Sequence, residues 1–260
     1  MANKIIIANW KMSLGLKETE DLTQEILRGL NKTDILNTDV VLCPSFTALK
    51  SVGEIIGKNK LSVFLGAQDV FWQEEGAYTG EISPLMLKEL GVKYIIIGHS
   101  ERRVNLKETD EMINKKIEIA LAHNLIPILC VGETFEERQR GEKGSVINKQ
   151  IAGAFKGINF NIDNNLIIAY EPVWAISSSG YGQIVEPPEA EDTSLVIKQQ
   201  LIDIFGSEKV TKRVKIIYGG SVDSNNVKGF LEKNVKGFLV GGASLKPQEF
   251  IKIITILSEA

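Results

Sequence analysis

Eight short apolar runs rich in β-branched residues recur along the whole chain and constrain its fold more than any other feature. They are KIIIANW, DVVLCP, SVFLGAQ, VKYIIIGHS, IPILCVGE, NLIIAYEP, VKIIYGG and KGFLVGGAS. Continuous apolar runs are typical of strands that are buried on both faces of a parallel sheet. Helical patterns separate them, as in residues 109–124, where apolar residues recur at helical spacing. The sequence therefore predicts an α/β fold with alternating strands and helices.

The number of runs favours one architecture within this class. Eight strands alternating with helices predict a closed (β/α)8 barrel. A doubly wound open sheet is the alternative, but it usually carries a glycine fingerprint after its first strand, and here NWKMS follows. No linker or low-complexity tract interrupts the 260 residues. We therefore expect a single barrel domain over residues 1–260, since barrels of about 250 residues are routinely one domain.

Composition argues against several classes of function. The formal net charge is −3, with 30 Lys and Arg against 33 Asp and Glu, so we expect no nucleic-acid partner. No apolar stretch reaches roughly 18 residues and the N-terminus lacks a signal-peptide pattern, so we expect no membrane association. Cys43 and Cys130 lie in apolar runs and are expected to be buried thiols, which fits a reducing cytoplasm.

The two histidines give no metal-binding pattern. His99 and His123 have no partners at ligand spacing, so we expect no metal site. His123 lies late in a helical pattern, and we expect it at the surface or at the C-terminal end of that helix.

Polar residues collect where the apolar runs end. In a (β/α)8 barrel the loops after the strands form the active face, so these residues meet in space. Lys11 follows the first run and could hold an anionic substrate, with an ordinary surface lysine as the alternative. His99 follows the fourth run. It could take part in the chemistry, or it could equally be a polar residue at a strand end whose hydrogen bonds are made within the protein. Glu171 follows the sixth and is the best candidate for a base, whereas Glu133 is expected to support loops.

Glycine pairs end the last two apolar runs, in YGGS and VGGAS. Glycine lets backbone N–H groups approach an anion closely, and a following helix start adds favourable dipoles. One such pair alone would be weak evidence, because strand ends often turn with glycine. Two pairs after strands seven and eight, where barrels commonly bind phosphate, predict a phosphate site.

Nine segments, in order and from Ile5 to Leu245, resemble the triosephosphate isomerase family. They are NWKM, CPSF, LGAQDV, GAYTGE, IIIGHSERR, CVGETFEER, AYEPVWAI, YGGSV and GFLVGGASL. The resemblance implies interconversion of dihydroxyacetone phosphate and glyceraldehyde 3-phosphate, in glycolysis and gluconeogenesis, without a cofactor. Two alternatives stay open: another phosphate-binding barrel isomerase, which should lack the pair GHSERR and YEPVWA, and a barrel that binds sugar phosphates without catalysis.

The resemblance also implies roles for individual residues. Glu171 would be the base that moves a proton between adjacent carbons. His99 would act as a neutral imidazole that polarises the carbonyl and shuttles protons between oxygens. Lys11, with Asn9 beside it, would supply positive charge near the substrate oxygens.

Other motif positions match residues that bind phosphate or support the site. The expected phosphate contacts are Ser177, Ser221, Gly241 and Gly242. The expected supporting residues are Ser100, Glu101, Glu133 and Tyr218. Of these, Glu101 matches a buried family acid near the lysine, and Tyr218 and Ser221 match residues that hold a closed lid.

The lid departs from the family pattern. The family reads roughly AIGTGK, whereas this chain reads AISSSGYGQ, which leaves about three extra residues. Ser177 stands where the family has a glycine, and Gln183 stands near the usual lysine. We expect closure to survive, since doubling the length of a loop costs only about 0.6 kcal/mol.

The long connection after the third strand, QDVFWQEEGAYTGEIS, predicts an interface. It carries Phe71, Trp72 and Tyr78, and aromatic residues on an exposed loop often mark a contact surface. Thr79 matches a family residue in a loop that inserts into the partner subunit. The resemblance therefore implies a homodimer, with a loop folded onto its own barrel as the alternative.

Overall fold

The structure, a computed structural model, describes residues 4–32, 35, 37–161, 163–176, 185–231 and 235–260. Its strands are β1 (Lys4–Asn9), β2 (Thr38–Cys43), β3 (Val63–Ala67), β4 (Tyr94–Ile97), β5 (Ile126–Val131), β6 (Leu166–Tyr170), β7 (Val214–Tyr218) and β8 (Gly237–Val240). Its helices are α1 (Leu16–Leu30), α2 (Leu49–Gly57), α3 (Pro84–Glu89), α4 (Ser100–Asn105), α5 (Asp110–Ala122), α6 (Phe135–Gln139), α7 (Lys143–Ala154), α8 (Pro187–Phe205), α9 (Ser207–Arg213), α10 (Val227–Leu231) and α11 (Pro247–Glu259).

The strands form a closed parallel barrel in chain order, β1 through β8, with β1 paired to β8. One strand falls on each of the eight apolar runs, although β2 begins one residue before its run, at Thr38, so the predicted (β/α)8 barrel is confirmed. The strands read as unbroken apolar runs because both of their faces are buried. In β1, Ile5 and Ile7 point into the barrel, while Ile6 and Ala8 pack in the layer between barrel and helices.

Three helix starts show how local sequence sets the boundaries. Ser83 accepts a hydrogen bond from the Met86 N–H, and Pro84 opens α3. Pro247 opens α11 in the same position. Thr109 caps α5 in the same manner as Ser83.

The buried face of α5 contains a charge that the apolar pattern did not indicate. Lys116 is 2% exposed, and its ammonium lies 2.7 Å from Asp69 and 2.6 Å from Glu108. Arg102 contacts the same two carboxylates. This network ties the loop after β3 to α4, which His99 caps, and to α5.

The cysteines and His123 lie where the sequence suggests. Cys43 and Cys130 are buried free thiols, and burial raises the pKa of each. His123 ends α5, where its Nε2 lies 2.9 Å from Oε1 of Glu74. Among the described residues, no helix is long and apolar enough to cross a membrane.

Candidate active site

A cleft opens at the carboxyl ends of the strands and brings together residues that are far apart in sequence. It is lined by Asn9, Lys11, His99, Glu171, Ile176, Gly219, Gly220, Ser221, Val222, Leu239, Gly241, Gly242 and Ala243. These residues follow β1, β4, β6, β7 and β8 or lie at their ends. The structure therefore gathers the predicted base, imidazole, lysine, asparagine and glycine loops in one place.

The cleft centres on a buried contact between a carboxylate and an imidazole. Glu171 and His99 are 2% and 5% exposed, and Oε1 of Glu171 lies 3.2 Å from Nε2 of His99. The Ser100 N–H donates to Oε2 of Glu171 at 3.3 Å. The Glu101 N–H donates to Nδ1 of His99 at 3.2 Å. A ring nitrogen that accepts a hydrogen bond carries no proton, so this contact fits the expected neutral ring with its N–H on Nε2, toward the carboxylate.

The side chain of Glu171 is closely confined. Its backbone N–H donates to the Val131 carbonyl at 2.7 Å. A methyl group on Gly219 would come within 2.7 Å of Cγ of Glu171, so only glycine leaves room for this side chain. The pKa of the Cys130 thiol is raised, mainly by burial and to a smaller extent by the adjacent Glu171 carboxylate. Cys130 was predicted only as a buried thiol, and the structure places it against the candidate base.

Lys11 reaches the cleft through a constrained backbone conformation. Its φ is 51°, in the left-handed region that a lysine rarely adopts. The Lys11 N–H donates to Oδ1 of Asn9 at 3.1 Å, and Gln68 donates to the Lys11 carbonyl at 2.9 Å. The ammonium lies 2.6 Å from Oε1 of Glu101. Asn9 and Gln68 thus hold the backbone that presents this cation.

Glu101 requires one correction. It lies near the lysine, as expected, but its side chain is 36% exposed rather than buried. The reason is its place in the first turn of α4, which puts the carboxylate beside Lys11 at the edge of the cleft, where solvent reaches it.

Glu133 supports the segment after β6 and does not line the cleft. It is fully buried and accepts hydrogen bonds from Nε1 of Trp174 at 2.8 Å and from the Tyr170 hydroxyl at 3.2 Å. Its carbonyl accepts the Val173 N–H at 3.0 Å. Burial raises the pKa of Glu133, against the opposing effect of the Trp174 hydrogen bond. Glu133 therefore anchors the chain that leaves Glu171.

The two glycine loops form the other end of the cleft. The N–H and hydroxyl of Ser221 both donate to the Ala175 carbonyl, at 3.2 and 2.9 Å. Gly242 begins a 3-10 turn, Gly242–Leu245, directly after Gly241. Ser221 therefore contacts the segment after Glu171, where the lid that it was expected to hold begins.

Two further expectations concern Tyr218 and Ser177. The Tyr218 ring stacks on Phe230 with centroids 4.4 Å apart. Its hydroxyl is buried and has no hydrogen-bond partner among the residues that the structure describes, and burial raises its pKa. Ser177 and the rest of the expected lid tip, residues 177–184, lie outside those residues.

The fold and the cleft together define a class of protein. A (β/α)8 barrel with a buried carboxylate–imidazole pair, a lysine and two glycine-rich loops on its carboxyl face has the arrangement of an acid–base enzyme for a small anionic substrate. Among the described residues, no three His, Cys, Asp or Glu side chains gather as metal ligands would.

Comparison with known proteins gives the family within this class. The family model described as triosephosphate isomerase matches residues 4–257. The triosephosphate isomerase of Dictyoglomus thermophilum is 46% identical over 255 residues, which cover 98% of this chain and 99% of the relative. That of Caldanaerobacter subterraneus subsp. tengcongensis is 44% identical over 256 residues, with the same coverage. The chain therefore belongs to the triosephosphate isomerase family, and it is an isomerase.

Proposed function

We propose that Glu171 and His99 carry out the proton transfers by which this isomerase interconverts dihydroxyacetone phosphate and glyceraldehyde 3-phosphate. The observation that carries the proposal is the 3.2 Å contact between the buried Glu171 carboxylate and Nε2 of His99, beside Lys11. A carboxylate and a neutral imidazole are the base and the hydrogen-bond donor that a proton shift next to a carbonyl requires.

The reaction begins when Glu171 takes a proton from the carbon next to the ketone. For this step its carboxylate leaves the N–H groups of His99 and Ser100 and turns to the substrate. The electron pair of the broken C–H bond forms a carbon–carbon double bond, and the carbonyl electrons move to oxygen. The product of the step is an enediolate with its new negative charge on the former carbonyl oxygen.

His99 and Glu171 then complete the isomerisation. His99 gives its Nε2 proton to the charged oxygen and takes a proton from the hydroxyl on the neighbouring carbon. Glu171 returns its proton to the other carbon of the double bond, which yields the aldehyde. Both groups end in their starting states, and no external oxidant or reductant is needed.

Two cationic or dipolar elements would hold the substrate during these steps. Lys11, with Asn9 supporting it, would stabilise the negative charge on the enediolate oxygens. Ser221, Gly241 and Gly242 would bind the phosphate through backbone N–H groups. Because the Ser221 N–H now donates to the Ala175 carbonyl, phosphate binding at Ser221 requires that carbonyl to move.

An isomerase assay with purified protein tests the proposal. Dehydrogenase-coupled detection of each triose phosphate should show turnover in both directions, and Glu171→Gln should lower kcat at least a hundredfold, since it removes the base. Glu208→Gln is the matched control, because Glu208 is exposed and pairs with Lys212 in α9, far from the cleft. Binding without turnover would support the non-catalytic alternative, and turnover of other sugar phosphates alone would support a different isomerase.

We propose in addition that the lengthened lid still closes over the phosphate. Its first anchor, Pro172–Ile176, contacts Glu133 and Ser221. The Tyr218 hydroxyl, which the resemblance assigns to holding a closed lid, is buried and has no hydrogen-bond partner among the described residues. Replacing residues 177–181 with Gly-Thr should leave turnover and methylglyoxal yield unchanged. If the wild-type enzyme releases much methylglyoxal and the variant with the short lid does not, the proposal that the native lid closes over the phosphate is contradicted.

The chain is further proposed to form a homodimer through the loop that contains Thr79. Residues 73–80 are exposed, and Tyr78, Leu85 and Met86 present apolar side chains that are 44%, 46% and 53% exposed. Phe71, by contrast, is buried and stacks on Trp72 at 4.1 Å, so the aromatic residues of this loop partly pack on one another. Sedimentation should give a dimer at micromolar concentration, and a fully active monomer of 28.7 kDa would overturn the idea.

We also propose a cytoplasmic location. Two buried free thiols fit a reducing compartment, and the triose phosphates are intermediates of glycolysis. Recovery of the activity in a membrane or secreted fraction of the source cells would contradict this proposal.

A further inference from the structure

Gln150, in the middle of α7, makes a two-point contact with the chain that follows β5. Its side-chain oxygen accepts the Gly132 N–H at 2.9 Å, and its side-chain nitrogen donates to the Gly132 carbonyl at 3.1 Å. The pairing of β5 with β6 ends at Val131 and Tyr170. Gly132 is the first residue after β5 that has no partner in β6. The side chain of Gln150 makes the two hydrogen bonds with its backbone that a neighbouring strand would otherwise make.

Gly132 is in turn pressed against the backbone of the candidate base. A methyl group on Gly132 would lie 1.9 Å from the Glu171 carbonyl oxygen and 2.5 Å from its carbonyl carbon. The residues on either side of Gly132 also hydrogen-bond this segment, because Val131 accepts the Glu171 N–H and Glu133 accepts the Val173 N–H. The backbone of Glu171 thus packs against residues 131–133, and Gln150 holds the middle one of these, Gly132.

From this geometry we infer that Gln150 is a positioning residue for the proton transfer. Gln150 is not among the residues that line the cleft, and its side chain bonds Gly132 instead. It acts through Gly132, because a shift of Gly132 moves the backbone of Glu171 and with it the carboxylate. The inference rests on the proposed role of Glu171 as the base.

The test compares Gln150→Leu with wild type and with a matched Gln→Leu control. Leucine is similar in size but makes neither hydrogen bond with Gly132. Gln199→Leu is the control, because Gln199 is exposed and its side chain bonds Asp203 within α8. A misplacement of about 1 Å can cost on the order of a hundredfold in rate. We expect kcat to fall about tenfold or more in Gln150→Leu, with KM and the affinity for a phosphate-bearing competitive inhibitor within about twofold of the control.

A second readout separates positioning from simple loss of stability. If the base is misplaced, proton abstraction becomes slower, and the primary isotope effect with substrate deuterated at the reacting carbon should rise. A merely destabilised enzyme would keep its kcat per folded molecule and its isotope effect. Gln150→Glu retains the acceptor for the Gly132 N–H and serves if the leucine variant does not fold, with kcat again expected to fall while KM holds.

The outcomes separate this inference from the proposed function. If Glu171→Gln abolishes turnover while folded Gln150 variants keep kcat within twofold of the control, the positioning role is overturned and the base stands. The positioning role is also overturned if KM rises while kcat and the isotope effect do not change. If Glu171→Gln turns over normally, the proposed function itself fails.

Discussion

Gly219→Ala should displace the Glu171 side chain with little other change. The added methyl would lie 2.7 Å from Cγ of Glu171, and its next contacts, the Tyr170 carbonyl and Oε1 of Glu171, are ordinary at 3.4 and 3.5 Å. Carbon atoms make ordinary contacts only from about 3.4 Å, so Cγ must retreat by about 0.7 Å. The side chain must yield because the methyl is fixed to the backbone at the end of β7.

The displacement sets the expected loss of rate. Since a misplacement of about 1 Å can cost on the order of a hundredfold, 0.7 Å should cost about tenfold to a hundredfold in kcat. That loss corresponds to about 1.4 to 2.7 kcal/mol of transition-state stabilisation. The assay is steady-state isomerisation at saturating triose phosphate, with circular dichroism to confirm the fold.

Gly144→Ala provides the control for this substitution. Gly144 lies in α7, where an added methyl meets nothing within 4 Å, so alanine should leave kcat unchanged. A kcat for Gly219→Ala within threefold of Gly144→Ala would refute the reasoning, because Glu171 would then tolerate the shift.

Three further predictions concern charge. Lys11→Met should lower kcat/KM by on the order of a hundredfold or more, as removal of one oxyanion donor does in other enzymes. A decrease in kcat/KM of less than threefold would contradict the role of Lys11 in stabilising the enediolate. Nitrogen-15 NMR at neutral pH should show His99 neutral with its proton on Nε2, because Nδ1 accepts the Glu101 N–H; an imidazolium signal would contradict this. Burial alone would raise the pKa of Glu189, but hydrogen bonds from Arg138 and Lys143 outweigh it and leave the pKa below its ordinary value. A carboxylate with a depressed folded-state pKa stabilises the fold above its unfolded pKa, about 4.3, and this stability is lost as pH falls through the folded value. Urea unfolding between pH 6 and pH 3 should therefore show a smaller loss of stability for Glu189→Gln than for wild type, and equal losses would contradict the assignment.

The sequence predicts the barrel and much of the cleft for one physical reason. Strands buried on both faces must be apolar throughout, so their ends stand out as the places where polar residues begin. Lys11, His99 and Glu171 are visible in the sequence because each is the polar residue that follows such a run. The barrel then brings these ends together, whatever their separation along the chain.

Contacts that depend on helix docking are not visible in the same way. Gln150 and Lys116 lie within helices, where an amide or an ammonium usually faces solvent, and only the docked helix shows that Gln150 bonds Gly132 and that Lys116 is buried beside Asp69. The exposure of Glu101 likewise depends on how the first turn of α4 is oriented. These features follow from tertiary packing, which no local pattern encodes.

The central claim, that Glu171 moves the proton, is tested most directly by Glu171→Asp in deuterated water. Aspartate keeps the carboxylate but withdraws it by one methylene, so turnover and deuterium incorporation into the product should both fall on the order of a hundredfold. The affinity for a phosphate-bearing inhibitor should change little, because Ser221, Gly241 and Gly242 form the other end of the cleft. A variant that isomerises and exchanges deuterium as fast as wild type would contradict the claim.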